Sequence, residues 1–83
     1  MVERSVERYV VMLNVVPRHE CEVINNLRKA MSVRSLYSIY GEYDILAIVD
    51  DLNPIKHILR SRFIVDSKIL KIDDGFIRDD TDA

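Results

Sequence analysis

One glycine, set between two strand-like runs, constrains this chain more than any other feature. Val33 to Tyr40 intersperses apolar and polar residues, Tyr43 to Asp50 carries apolar residues on both of its alternating faces, and Gly41-Glu42 lies between them. Alternation at period two marks strands, and a glycine between two of them marks a tight β-hairpin, because Gly41 tolerates positive φ. With glycine leading a two-residue loop, a type II′ turn is expected. The register then pairs Tyr40 with Tyr43, Ile39 with Asp44 and Tyr37 with Leu46. A carboxylate at Asp44, beside two tyrosines and the backbone N–H groups of the turn, is a candidate small-ligand site.

The 83 residues make one small domain. A chain this short buries roughly 60–65% of its unfolded surface. Hydrophobic residues nevertheless make up 48% of it. That surplus points to self-association. The formal net charge is −2, with acids and bases interspersed, which argues against a dedicated nucleic-acid binder. Cys21 is the single cysteine, so no intrachain disulfide is available and nothing calls for an oxidising compartment. Met1 to Ser5 lacks the apolar core of a signal peptide, and the apolar run Tyr9–Leu13 is too short to span a bilayer. A soluble, cytoplasmic protein with no membrane contact is expected.

In chain order, residues 1–8 form a frayed N-terminus and 9–78 the domain. Residues 79–83 are an acidic tail, expected to be disordered. Tyr9–Val16 is a strand apolar on both faces and so central in a sheet. Pro17 ends it and opens a helix from Arg18 to about Met31, whose apolar stripe is Val23, Ile24, Leu27, Ala30 and Met31. After the hairpin, Asn53 is the expected N-cap and Pro54 the first residue of a shorter helix. Ile55, Ile58 and Leu59 form its inner stripe, and it ends near Arg62. Ser67–Asp73 is the last strand. Asp74-Gly75 reads as a turn, and Phe76-Ile77 as a short extra strand or docking hook.

The order β-α-β-β-α-β gives an α+β fold, the ferredoxin-like sandwich: a four-stranded antiparallel sheet with two helices on one face. The hairpin is apolar on both faces, with Leu36, Tyr40, Tyr43, Ile45, Ala47 and Val49 on one and Val33, Tyr37, Ile39, Leu46 and Ile48 on the other. A second sheet facing the first about a two-fold axis would cover the side that the helices leave open. A dimeric α+β barrel is therefore expected.

With Tyr40-Gly41-Glu42-Tyr43-Asp44 at its central hairpin, followed by Ile45-Leu46-Ala47-Ile48-Val49, the chain from Tyr9 to Asp73 resembles the effector-binding (RAM) domain of the Lrp/AsnC, or feast/famine, transcription regulators. The resemblance implies dimers built through facing sheets and assembled further into tetramers or octamers. It also implies a small amino-acid effector near the hairpin, between dimers. In that family the domain follows a helix-turn-helix. Few residues precede the first strand here, so a stand-alone module is expected, with a full-length Lrp-type regulator as candidate partner. The family's usual Gly-Val before the last strand is replaced by Ile64-Val65-Asp66.

The chemistry of the hairpin agrees with a zwitterionic ligand. Backbone N–H groups at Gly41 and Glu42 could receive its carboxylate, Asp44 could accept its ammonium, and Tyr40 or Tyr43 could wall it. The plainer account has Asp44 pinning the hairpin and the tyrosines forming a cross-strand pair. No catalytic residue, cofactor or metal is expected. His19 and Cys21 would not share a helix face, and the Asp50-Asp51 and Asp73-Asp74 pairs lack calcium-loop spacing. His19 and His57 are expected to project toward solvent, leaving a small dimeric barrel enzyme as an alternative without an acid–base pair. A purely structural oligomerisation module is the other alternative. An RNA-binding role fails because the strand Ile45–Val49 offers aliphatic side chains where stacking rings are needed.

Overall fold

The computed structural model describes residues 7–72. The expected turn at Asp74-Gly75, the hook at Phe76-Ile77 and the acidic tail lie outside the described residues. Strand β1 (Arg8–Val15) leads to helix α1 (Glu20–Lys29), then to β2 (Val33–Ser38) and β3 (Ile45–Val49). A single 3-10 turn, Asn53–Ile55, runs into the short helix α2 (Lys56–Leu59), and β4 (Ile64–Ile72) is the last described element. The four strands form one antiparallel sheet in the order β2-β3-β1-β4. This is the ferredoxin-like α+β arrangement expected from the periodicities.

The core lies between the sheet and the helices. Val11, Leu13 and Val15 of β1 and Ile45, Ala47 and Val49 of β3 meet Val23 and Leu27 of α1, with Ile55 and Ile58 from the second helical segment. These side chains alternate along each strand, so helices cover one face only. Helix α1 starts later than Pro17 suggested, because Arg18 adopts a φ of 76° and cannot continue a helix. It stops at Lys29, where Ala30 turns extended, so Met31 leaves the predicted stripe and is exposed. Glu20 and Glu22 in the first turn and Arg28 and Lys29 in the last suit the helix dipole.

Further expectations are corrected. Asn53 does not cap the second helix. Leu52 holds that position without a side-chain cap, and the Asp51 carboxylate instead accepts the Asn53 N–H at 3.1 Å. That helix also ends at Leu59 rather than Arg62. The last strand begins at Ile64, not Ser67, because Ile64 pairs with Val15 across a register shift that leaves Val65 as an extra, unpaired residue. A second bulge, at Arg34, puts Val33 opposite Val49 and so on the core side, not beside Tyr37.

The uncovered face of the sheet is built in rows. Tyr37, Leu46, Met12 and Lys68 are consecutive neighbours across the four strands, and Ser35, Ile48, Val10 and Leu70 form the adjacent row. The next row toward the bend pairs Asn14 with Asp66. Val10, Met12, Leu46 and Ile48 are half-buried in one copy, whereas Tyr37 and Leu70 are exposed.

Candidate functional site at the glycine bend

Regular β2–β3 pairing stops at Ser38 with Ile45, and residues 39–44 form the bend. The expected register holds at two points: Tyr37 lies opposite Leu46, and the Ile39 N–H donates to the Asp44 carbonyl at 2.9 Å. Beyond them the chain makes a wider bend, without the Tyr40–Tyr43 pair or the hydrogen-bonded two-residue turn expected at Gly41-Glu42. Gly41 has a φ of +127°, and a Cβ built there would meet nothing within 4 Å. The position thus requires glycine for its backbone conformation, not for space.

Asp44 ties this bend to the central strand. Its N–H donates to the Leu13 carbonyl at 2.8 Å, and its carboxylate Oδ2 accepts the Val15 N–H at 2.9 Å. β1 pairs with β3 only as far as Leu13 opposite Ile45, so the carboxylate takes up a strand donor beyond the end of that ladder. The tyrosines do not behave as a cross-strand pair. Tyr40 is fully exposed, at 101% of its reference area, whereas Tyr43 is half-buried. Gly41 and Glu42 are exposed.

The Tyr43 phenol is held above its usual range, first by loss of hydration and then by the nearby carboxylates of Asp66 and Glu42. Asp66 is therefore part of the neighbourhood of the bend, although sequence reasoning placed it in a connection. One oxygen of Asp66 accepts the Ser67 N–H at 2.9 Å. Only the bulged register of β4 on β1 sets Asp66 opposite Asn14, and no local pattern announces that register.

Two clefts of the single copy lie away from the bend. One runs between α1 and β2, and the other is lined by Lys29, Met31, Pro54 and His57 among others. His19 does not project freely. Its ring stacks on Phe63 at 4.2 Å between centroids, its Nδ1 lies 2.7 Å from the Glu22 carboxylate, and the Arg62 guanidinium covers the same phenyl ring at 5.5 Å. His57 and Cys21 are exposed. Among the described residues, no group of three or more His, Cys, Asp or Glu side chains is placed to hold a metal ion. No described helix is long and apolar enough to cross a membrane.

No protein-family model matches the chain, and no curated protein matches it in sequence. Solved structures do match in shape. TTHA0845 from Thermus thermophilus superposes with a TM-score of 0.76 at 18% identity, over 87% of this chain and 99% of that one. E. coli AsnC gives a TM-score of 0.67 at 14% identity, over 95% of this chain and 63% of AsnC. The transcriptional regulator NMB0573 of Neisseria meningitidis, solved as its L-Met complex, gives 0.66 at 16% identity, over 98% of this chain and 62% of that one. The chain has an Lrp/AsnC-like fold. At these identities the likeness is one of architecture.

Proposed function

We propose that this chain is an amino-acid-binding regulatory module of the Lrp/AsnC type. It senses a small amino acid at a site completed between dimers and acts through oligomeric assembly, with a full-length regulator of the same type as a candidate partner. The observation that carries this reading is the position of the bend. Gly41 exposes main chain at the end of an uncovered sheet face whose two central rows are largely apolar. A second copy laid on that face would bury the rows and turn an exposed bend into the wall of a cleft. That one of the similar structures is an L-Met complex supports an amino-acid effector.

In this reading, main-chain N–H groups at Gly41 and Glu42 receive the effector's carboxylate. Asp44, with Glu42 and Asp66 nearby, provides negative charge for its ammonium. Tyr43 lines the site and Tyr40 closes over it from the exposed side. The module is cytoplasmic and performs no catalysis. Isothermal calorimetry of the chain against each proteinogenic amino acid at millimolar concentration tests the proposal. Saturable binding of at least one, lost in Gly41→Val, is expected; no heat from any of them contradicts it.

One observation favours a second reading, a structural oligomerisation module without effector. Asp44 already commits Oδ2 to the Val15 N–H, as a residue that merely pins the hairpin would. The same titration separates the two, since that module assembles without responding to amino acids.

A further inference from the structure

Among the described residues strand β2 is an edge of the sheet, and its outer side is not bare strand. A groove of about 320 Å3 runs between this edge and α1, lined by Ile24, Arg28, Val33, Arg34, Leu36 and Tyr37 among others. The pairing pattern fixes which main-chain groups face it. The Ile39 N–H donates to the Asp44 carbonyl, so Ile39 turns its main chain toward β3, and by the alternation of an antiparallel ladder Tyr37 opposite Leu46 and Ser35 opposite Ile48 do the same. Leu36 and Ser38 fall between these pairs and aim their N–H and C=O groups outward, along the groove. The groove thus offers unpaired strand edge, an apolar floor from Ile24, Val33 and Leu36, and two guanidinium groups. Arg34 is held by Asp50 at 2.8 Å, and no carboxylate is among the groove's lining residues.

We infer that this groove takes, as an added strand, the segment Asp73–Ala83 of a second copy of the chain. The segment carries an apolar pair, Phe76-Ile77, flanked by five aspartates and one arginine. Acids on either side of two adjacent apolar residues complement an apolar groove edged by Arg28 and Arg34. Alternation along an added strand sends one of Phe76 and Ile77 toward Ile24 and Leu36 and the other toward Tyr37.

Reach decides that the donor is another copy. Strand β4 ends at Ile72, on the edge of the sheet opposite β2, at the end where Val33 begins that strand. A strand added outside β2 lies four strand spacings from β4, about 19 Å. From Ile72 to Phe76 the chain spans at most about 14 Å fully extended, too little to seat the apolar pair on its own sheet. This contact lies at the β2 edge, meets the uncovered sheet face only at Tyr37, and does not depend on any effector.

Hydrogen exchange of the full chain, followed residue by residue at high and low protein concentration, tests the inference. The Leu36 and Ser38 amides are expected to be protected at high concentration and to lose that protection on dilution. Phe76→Asp combined with Ile77→Asp should abolish it, and Arg28→Glu should weaken it, while the Val11 and Ala47 amides of the central strands stay protected. Any of three results overturns the inference. Protection that survives the double aspartate change means a different occupant. Protection independent of concentration means the chain's own segment. Free exchange of both amides at every concentration means an open edge.

Discussion

Asp44 is the residue whose structural role a substitution measures most cleanly. Its Oδ2 takes the Val15 N–H and its own N–H feeds the Leu13 carbonyl, so removing the carboxylate leaves a half-buried strand donor without a partner. Asp44→Ala is expected to cost about 1–2 kcal/mol of stability in denaturant unfolding with no ligand present, and Asp44→Asn less, since an amide oxygen still accepts. An unchanged midpoint for Asp44→Ala would remove the pinning role. Arg18 offers the opposite sign. Its φ of 76° is strained for any residue with a Cβ, so Arg18→Gly should raise stability by up to ~1 kcal/mol. Tyr43 gives a pH dependence. Its folded-state pKa lies above the ordinary value, so its contribution is fully present below about pH 10 and is lost as pH rises through the folded pKa. Wild type should therefore lose stability relative to Tyr43→Phe at alkaline pH, and the two should run parallel below it. Phenolate absorbance in the same samples shows whether Tyr43 is the group that titrates.

Among the elements, α1 anchors the helix layer while α2 is four residues long and leans on its 3-10 turn. An isolated ten-residue helix is marginal in water, so α1 is held by what it buries. Leu27 is completely buried against the sheet, and Leu27→Ala is expected to cost about 2–5 kcal/mol, enough to threaten a domain of this size. Thermal unfolding checks this directly. The elements also show where the sequence was legible. The apolar, β-branched runs at Tyr9–Val16 and Ile45–Val49, cut off by Pro17 and by the acids at 50–51, and the 3.6-period stripe through Val23 and Leu27, set element type and order. The bulges at Arg34 and Val65 left no pattern of this kind. Each is a single extra residue whose position depends on the partner strand, and each moved a side chain to another face or a strand boundary by several residues. At the bend the register of Ile39 on Asp44 could be read. The partner of the Asp44 carboxylate, on a strand 29 positions away in sequence, and the approach of Asp66 to Tyr43 could not.

For the whole molecule the governing fact is asymmetry between the two faces of the sheet. One face buries Val11, Leu13, Ile45, Ala47 and Val49 almost completely, and the other shows Val10, Met12, Leu46, Ile48, Tyr37 and Leu70 with no layer of the described residues over them. An apolar surface of that kind is more than a monomer of this size ordinarily leaves wet. A second copy would cover it and would bring the glycine bend to a subunit boundary, which is what the effector reading requires. Sedimentation equilibrium on the wild-type chain and on Leu46→Lys, which places a charge in the middle of the face and away from the buried core, tests this most directly. The account predicts that the wild type sediments at twice the 9.7 kDa of one chain or a higher even multiple, and that Leu46→Lys shifts it toward the single-chain mass with its secondary structure intact. A wild-type protein at the mass of one chain at every concentration would contradict it.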